Sequence, residues 1–329
     1  MSQSKSDHTR QRLALLVRSL FAVGIFAGLF AVAGTQDLVS TFSSVRWDYV
    51  VLLVSFSAVL IWASCLKWRL FVRASGRDVS LLHLMKLYTV GYFFNTFTPS
   101  YVGGDLARSF HLGRHLESQR DAFVATFLER FTGLLAMALL GALFVVCGAE
   151  VTAGLSVAIL SVGAGAAVLG AACFMPRFSA WCFAVVRRVL PERDRGVFRK
   201  LHKVLNALDE GLQAARGKKK LLFDALVLSL FFHFLTVVNT YIAAKAVGWD
   251  TADIGGLFVV VPLVLLVSMV PLTPNGLGIQ EGAFLFLLKR IGADEAQGLA
   301  VGLLLRAKVI LLAMIGALLW ARLKKIEPQ

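Results

Sequence analysis

The chain has 329 residues, of which 57% are hydrophobic and only 16% charged, with a mean hydropathy of +0.73. Soluble domains carry about 25% charged residues, so a soluble catalytic domain is excluded as the bulk of this protein. The net charge of +14 could suit nucleic acid, but the lysines and arginines sit beside apolar stretches, where they act as topology signals and anionic-lipid contacts.

In chain order, full membrane spans are predicted near 13–33, 48–70, 120–147, 152–174, 221–246 and 297–321, each close to the roughly 20 residues that cross a bilayer core. The first is too long and too poorly flanked by small residues for a cleaved signal peptide. Two more apolar stretches, 80–98 and 254–270, each run into a Pro/Gly break. The fold class is therefore an all-α integral membrane protein, with about six full spans plus two re-entrant helical hairpins arranged as inverted repeats. It is read as one transmembrane domain over 1–329.

Charge sets the orientation. The loop after the first span holds one basic residue, Arg46, whereas twelve lie between Arg177 and Lys220. The positive-inside rule places that segment and both termini in the cytoplasm. Within 176–220, Trp181, Phe183, Val185 and Val186 alternate with arginines, which predicts an amphipathic helix on the inner leaflet. The stretch Lys67, Arg69, Arg73, Arg77 is read as cytoplasmic. Trp47, Trp62, Trp68, Trp249 and Trp320 are read as interfacial belts.

An internal repeat lies beneath the hydropathy. Thr98-Pro99-Ser100-Tyr101-Val102-Gly103-Gly104-Asp105 recurs as Thr273-Pro274-Asn275-Gly276-Leu277-Gly278-Ile279-Gln280-Glu281. A span follows each copy and carries an arginine, Arg130 or Arg306, before the tetrapeptide Leu-Leu-Ala-Met that begins at Leu134 or Leu311. The offsets agree at 175 (273 − 98), 176 (306 − 130) and 177 (311 − 134). The two breaks fall on opposite sides in the topology above, so the hairpins would be inserted from opposite faces. Broken helices expose backbone N–H and C=O groups that lipid cannot satisfy, so such breaks are buried in protein or line a wet cavity. Pro99 and Pro274 stop the entering helices, and Gly103, Gly104, Gly276 and Gly278 permit the tight turns.

A cationic side chain at the centre of a membrane helix costs about 2.5–3.5 kcal/mol on insertion scales. Glu129, Arg130, Arg306 and Lys308 lie within spans and so require partners or a function. Asp105 and Arg108 share a helix face at i, i+3. Asp105 and Glu281 suit the positive ends of the helices that follow the breaks. Arg130 and Arg306 could hold a phosphate headgroup through their bidentate forks. Alternatively, Glu129 or Glu281 neutralises an arginine and ties the two repeats together. Asn95 is a candidate helper at the first break. His233, Asn239 and Lys245 line the fifth span, with His233 read as a hydrogen-bonded bundle residue. No cofactor or metal is expected: Cys65, Cys147, Cys173 and Cys182 show no metal-ligand spacing, and no nucleotide-binding loop is present.

The segment from Asn95 through Pro99, Gly104, Asp105 and Arg108 to Glu129-Arg130 resembles the first signature of the lysylphosphatidylglycerol synthase transmembrane-region family. Pro274, Gly276, Gly278, Glu281 and Arg306 are similar to its second. The resemblance covers about 13–321 and implies a flippase-like bundle, related to the flippase portion of multiple peptide resistance factors. Those proteins carry a soluble synthase domain; this chain ends eight residues after Ala321, so aminoacyl transfer is not implied.

The function expected is a lipid flippase that moves a phospholipid or lipid-linked headgroup between leaflets of the cell inner membrane. Its partners would be a phospholipid or polyprenyl-linked lipid, the bilayer, a separate lipid-modifying enzyme and a second copy of the chain, with no nucleic acid. The alternatives are a membrane transferase using Asp105 or Glu281 as a base, and a lipid-binding scaffold for a separate synthase. No nucleophile–base pair supports an enzyme.

Overall fold

The computed structural model describes residues 23–98, 102–175, 217–270 and 272–326, together with scattered positions between 177 and 213. Pro99 and most of the basic segment 176–220 lie outside the described residues, as does the start of the predicted span 13–33. The described residues form helices and no strands: α1 (Val23–Ala33), α2 (Thr35–Ser43), α3 (Trp47–Ala74), α4 (Leu81–Phe97), α5 (Val102–His115), α6 (Gln119–Val146), α7 (Ala153–Phe174), α8 (Lys219–Ala246), α9 (Ile254–Ser268), α10 (Ile279–Leu288) and α11 (Glu295–Ile326).

Five helices are long and apolar enough to cross a membrane, namely α3, α6, α7, α8 and α11. The pair α1 and α2 would make a sixth, but it is bent by 81°. The bend falls at Gly34, whose φ of 76° a side-chain-bearing residue rarely adopts. Helix α2 occupies ground read from sequence as a plain loop. Its residues are polar enough to hide it from hydropathy, yet Leu38 is buried in a small core with Leu29 and Leu285.

Two long helices fix the direction of the bundle. The Arg46 N–H at the start of α3 donates to the Ala246 carbonyl at the end of α8 (2.9 Å), and Lys218 Nζ beside the start of α8 reaches the Ala74 carbonyl at the end of α3 (2.8 Å). Helices α3 and α8 are therefore antiparallel partners. At the Ala74 end, Asp78 accepts paired hydrogen bonds from Arg69 and Arg73. The two guanidinium groups hold its carboxyl well below the usual carboxylate range.

Helices α4 and α5 double back on each other. The His83 and His115 rings, at the far ends of the pair, stack with centroids 4.5 Å apart. Nearer the break, Gly104 is pressed against Gly91, and a Cβ at Gly104 would collide with the Gly91 carbonyl oxygen. Only glycine permits that approach. This hairpin opens at the Ala74 end, where α6 also begins and Arg77 faces Asp121 at 3.7 Å. Helices α9 and α10 form a second hairpin: a Cβ on Gly256, near the start of α9, would sit 3.1 Å from Ile291 just past α10. It follows the C-terminus of α8, so it opens at the opposite end. At 15 residues, α9 rises only about 22 Å, short of a bilayer core of about 30 Å.

Two apolar cores correspond to the two ends. One centres on Phe258, Val260, Phe284 and Leu288 from the second hairpin. The other gathers Trp68, Leu84, Leu112 and Ala122 around the first. Between them α11 lies along α4, so closely that a Cβ on Gly316 would strike the Thr89 carbonyl.

Three sequence expectations are corrected here. Trp68 and Trp249 are buried rather than interfacial, at 0% and 2% exposure; Trp68 donates from Nε1 to Thr126 Oγ1 at 3.2 Å. Lys67, read as part of a cytoplasmic basic stretch, is buried within the bundle. α3 continues to Ala74, past the predicted span end at 70, which draws Lys67 inside. Trp47, by contrast, is exposed as a belt residue would be.

Candidate functional site

The two helix breaks meet. The Asn275 N–H, in the turn after α9, donates to the carbonyl of Thr98, where α4 stops, at 3.3 Å. Asn275 adopts a left-handed conformation with φ 49°, and Gly276 and Gly278 follow with φ 63° and 81°. Pro274 opens this short 3-10 turn. Each break is buttressed by a side chain from its own hairpin. Asn95 Oδ1 accepts the Gly104 N–H at the start of α5 (2.6 Å), and Glu281 Oε2 accepts the Gly278 N–H at the start of α10 (2.7 Å). Gly103 packs on Thr98, with no room for a Cβ.

Each half then repeats one ion pair. Asp105 receives Arg130 Nη2 at 2.7 Å, and Glu281 receives Arg306 Nε at 2.6 Å, both across 25 residues of sequence. Both arginines lie eleven residues into their helices (119 to 130 and 295 to 306), or roughly 17 Å along the axis. In each case the acid stands in the first turn after a break, where the helix dipole favours it.

The environments of the two pairs diverge. Arg306 is buried and fully occupied: besides Glu281 it donates to the carbonyls of Asn275 (3.0 Å) and Gly276 (3.3 Å) and to Gln280 Oε1 (3.1 Å). Those carbonyls belong to the turn itself, so Arg306 supplies donors that the interrupted helix lacks. Arg130 has a side chain 47% exposed, against 7% for Arg306. Its other charged neighbour, Glu129, is 3.8 Å from Nε.

Behind Arg130 lies a buried polar cluster. Glu129 Oε2 takes Arg108 Nη2 at 2.6 Å, while Oε1 faces Lys67 Nζ at 3.3 Å and accepts from Ser64 Oγ at 3.2 Å. Arg108 Nε also donates to Asp105 Oδ1 at 2.9 Å. The Arg108 guanidinium lies over the rings of both Trp68 and Tyr88, 4.5 and 4.7 Å from their centres. Such cation–π contacts strengthen when desolvated. Lys67 was missed as a site residue because a lysine near a span end reads as a snorkelling charge. Its faint signal was the run Ser64, Cys65, Lys67, Trp68, in which polar and small residues continue inside a span.

The carboxylates pair within their own halves rather than across them. Glu129 serves α3 and α5, and Glu281 serves α11. The halves are joined instead through Asn275–Thr98 and through the close approach of α11 to α4 at Gly316 and Thr89. Within the second half, Lys308 Nζ donates to Asn239 Oδ1 on α8 at 2.7 Å. His233 is buried, with Nε2 3.6 Å from where a Cβ on Gly133 would lie. Among the described residues, no group of three His, Cys, Asp or Glu side chains could hold a metal ion.

The family model for the lysylphosphatidylglycerol synthase TM region matches residues 16–317. The chain belongs to that family. As a member it is similar to two relatives in Methanothermobacter thermautotrophicus, each called UPF0104 membrane protein. One is 23% identical over 295 residues, covering 84% of this chain and 86% of the relative. The other is 24% identical over 316 residues, covering 90% of each. Family membership, membrane-protein relatives and the long apolar helices together make this a multi-pass, all-α membrane protein with a lipid-related setting.

Proposed function

We propose that this protein is a lipid flippase, a carrier of phospholipid or lipid-linked headgroups between the leaflets of the inner membrane. The observation that carries the reading is Arg130, a half-exposed arginine near the middle of a membrane-spanning helix. A guanidinium facing acyl chains at that depth is costly, so such residues line the bundle interior or a watered path. A phosphate headgroup crossing the bilayer needs such a path, since a bare anion in hydrocarbon is prohibitive. Arg130 would hold the phosphate by its fork, with Asp105, Arg108 and Glu129 behind it, while the lipid tails remain in the bilayer.

In this reading the hairpins α4–α5 and α9–α10 are inverted repeats in one transmembrane domain, inserted from opposite faces. Their breaks meet within the membrane, as discontinuous helices do at transporter binding sites. The basic segment 176–220 and both termini are cytoplasmic by the positive-inside rule. Arg306, with four partners of its own, holds the second break in shape rather than the headgroup. The same partners weigh against a transferase: Asp105 and Glu281 are both salt-bridged, so neither stands ready as a general base. We therefore take the protein to act without covalent chemistry.

The test is flipping of a fluorescent phosphatidylglycerol in sealed vesicles. Wild-type protein is expected to exceed protein-free vesicles, and Arg130→Gln to lose most of that excess. A wild-type rate equal to that of empty vesicles would overturn the assignment.

A further inference from the structure

The charges behind Arg130 do not balance. Among the described residues, Lys67, Arg108 and Arg130 have only Asp105 and Glu129 as acidic partners, and these five groups are linked by contacts of 3.3 Å or less. Three basic side chains face two carboxylates, so with all five charged one positive charge is left inside the membrane. The second half also carries an unmatched cation, since Arg306 is paired with Glu281 while Lys308 donates to the neutral Asn239. Both of its cations, however, are buried, at 7% and 8% exposure, and out of a ligand's reach. A low-dielectric interior penalises an uncompensated charge, so the first cluster has room for one further negative charge.

The geometry shows where that charge would go. Asp105 Oδ1 is shared between Arg108 Nε at 2.9 Å and Arg130 Nη2 at 2.7 Å. Its two partners are held very differently. Arg108 is 2% exposed, salt-bridged to Glu129 and in contact with the rings of Trp68 and Tyr88, so it is held in place. Arg130 is 47% exposed, and its other ionic neighbour is at 3.8 Å. A ligand anion reaching this site therefore competes with Asp105 for Arg130, while Asp105 keeps Arg108.

Resting on the flippase reading, we propose that Asp105 is an internal stand-in for the headgroup phosphate. It occupies Arg130 when the site is empty and yields it to one singly charged phosphodiester. This makes Asp105 a specificity-determining residue that sets both the charge and the affinity of the lipid taken. A resident carboxylate lowers affinity, which also allows the headgroup to leave. It favours ligands with one net negative charge over zwitterions, whose cationic end would restore the excess.

Binding, rather than transport, tests this. Purified protein in detergent would be titrated calorimetrically with dihexanoylphosphatidylglycerol and, separately, with dihexanoylphosphatidylcholine. The wild type is expected to prefer the glycerol lipid. Asp105→Asn is expected to bind it about tenfold more tightly, since one charge-assisted competitor is gone. Arg130→Gln is expected to bind it at least about tenfold more weakly while keeping its fold, because that side chain is half-exposed. Unchanged or weaker binding by folded Asp105→Asn would overturn the proposal. Should that variant fail to fold, Arg130→Gln decides, and undiminished affinity there overturns it. Transport is separate: if the binding shifts occur but the wild type flips no faster than empty vesicles, the role of Asp105 stands and the flippase reading falls.

Discussion

The Asn275 N–H and the Thr98 carbonyl, 177 residues apart in sequence, share a hydrogen bond of 3.3 Å. Each belongs to a helix interruption, and each hairpin opens toward a different end of the bundle. The contact brings two stretches of irregular backbone together where they can satisfy one another, which is what lipid around them would demand. Around that junction, one half of the molecule is locked by Arg306 and the other is left open at Arg130.

That asymmetry predicts opposite outcomes for two equivalent ion pairs. Glu281→Gln leaves a buried Arg306 without its carboxylate, and breaking a buried pair in this way costs about 3–5 kcal/mol. Arg130→Gln removes a half-exposed partner and is expected to cost about 1 kcal/mol or less. Thermal unfolding in detergent checks the contrast; equal losses from the two variants would contradict it.

Close backbone approach makes a second prediction. Gly104→Ala drives a methyl into the Gly91 carbonyl, and overpacking of this kind costs about 1–3 kcal/mol. Gly316→Ala, which meets the Thr89 carbonyl between α11 and α4, is expected to behave alike. Gly165→Ala on α7, with nothing within 4 Å of its Cβ, is the control and should keep the wild-type unfolding midpoint.

Lys308 offers a third. It is buried and donates to Asn239, with no carboxylate within salt-bridge distance among the described residues. Replacing a buried charge by apolar groups of similar volume is often neutral or stabilising by about 1–4 kcal/mol. The double variant Lys308→Met with Asn239→Leu, which leaves no orphaned amide, is expected to raise the unfolding midpoint. A large fall would show that the pair holds α8 and α11 together.

Much of this architecture was legible in the sequence, for physical reasons. Helices α3, α6, α8 and α11 start within about two residues of the predicted spans, because long apolar runs have few other uses. The repeat pointed to both breaks and to both arginines. Hydropathy could not tell which way a side chain faces, and that hid the most informative contacts. Lys67 near a span end and Trp68 near an interface both look like surface residues until α3 is seen to continue to Ala74. The pairing of Asp105 with Arg130 and of Glu281 with Arg306 depends on how each hairpin folds against the next helix. Neither i, i+3 nor i, i+4 spacing encodes it. The difference in exposure between Arg130 and Arg306 is wholly tertiary, since the two sit at equal depth in similar helices.

Water at the depth of Arg130 is the condition on which the account stands, and it can be measured directly. Arg130→Cys, in a background with the native cysteines replaced and the protein in sealed vesicles, would be challenged with a membrane-impermeant, charged maleimide. The account predicts labelling by that reagent, because position 130 lines an aqueous groove. Protection from it, together with labelling by a lipid-soluble maleimide, would place position 130 among the acyl chains and contradict the account.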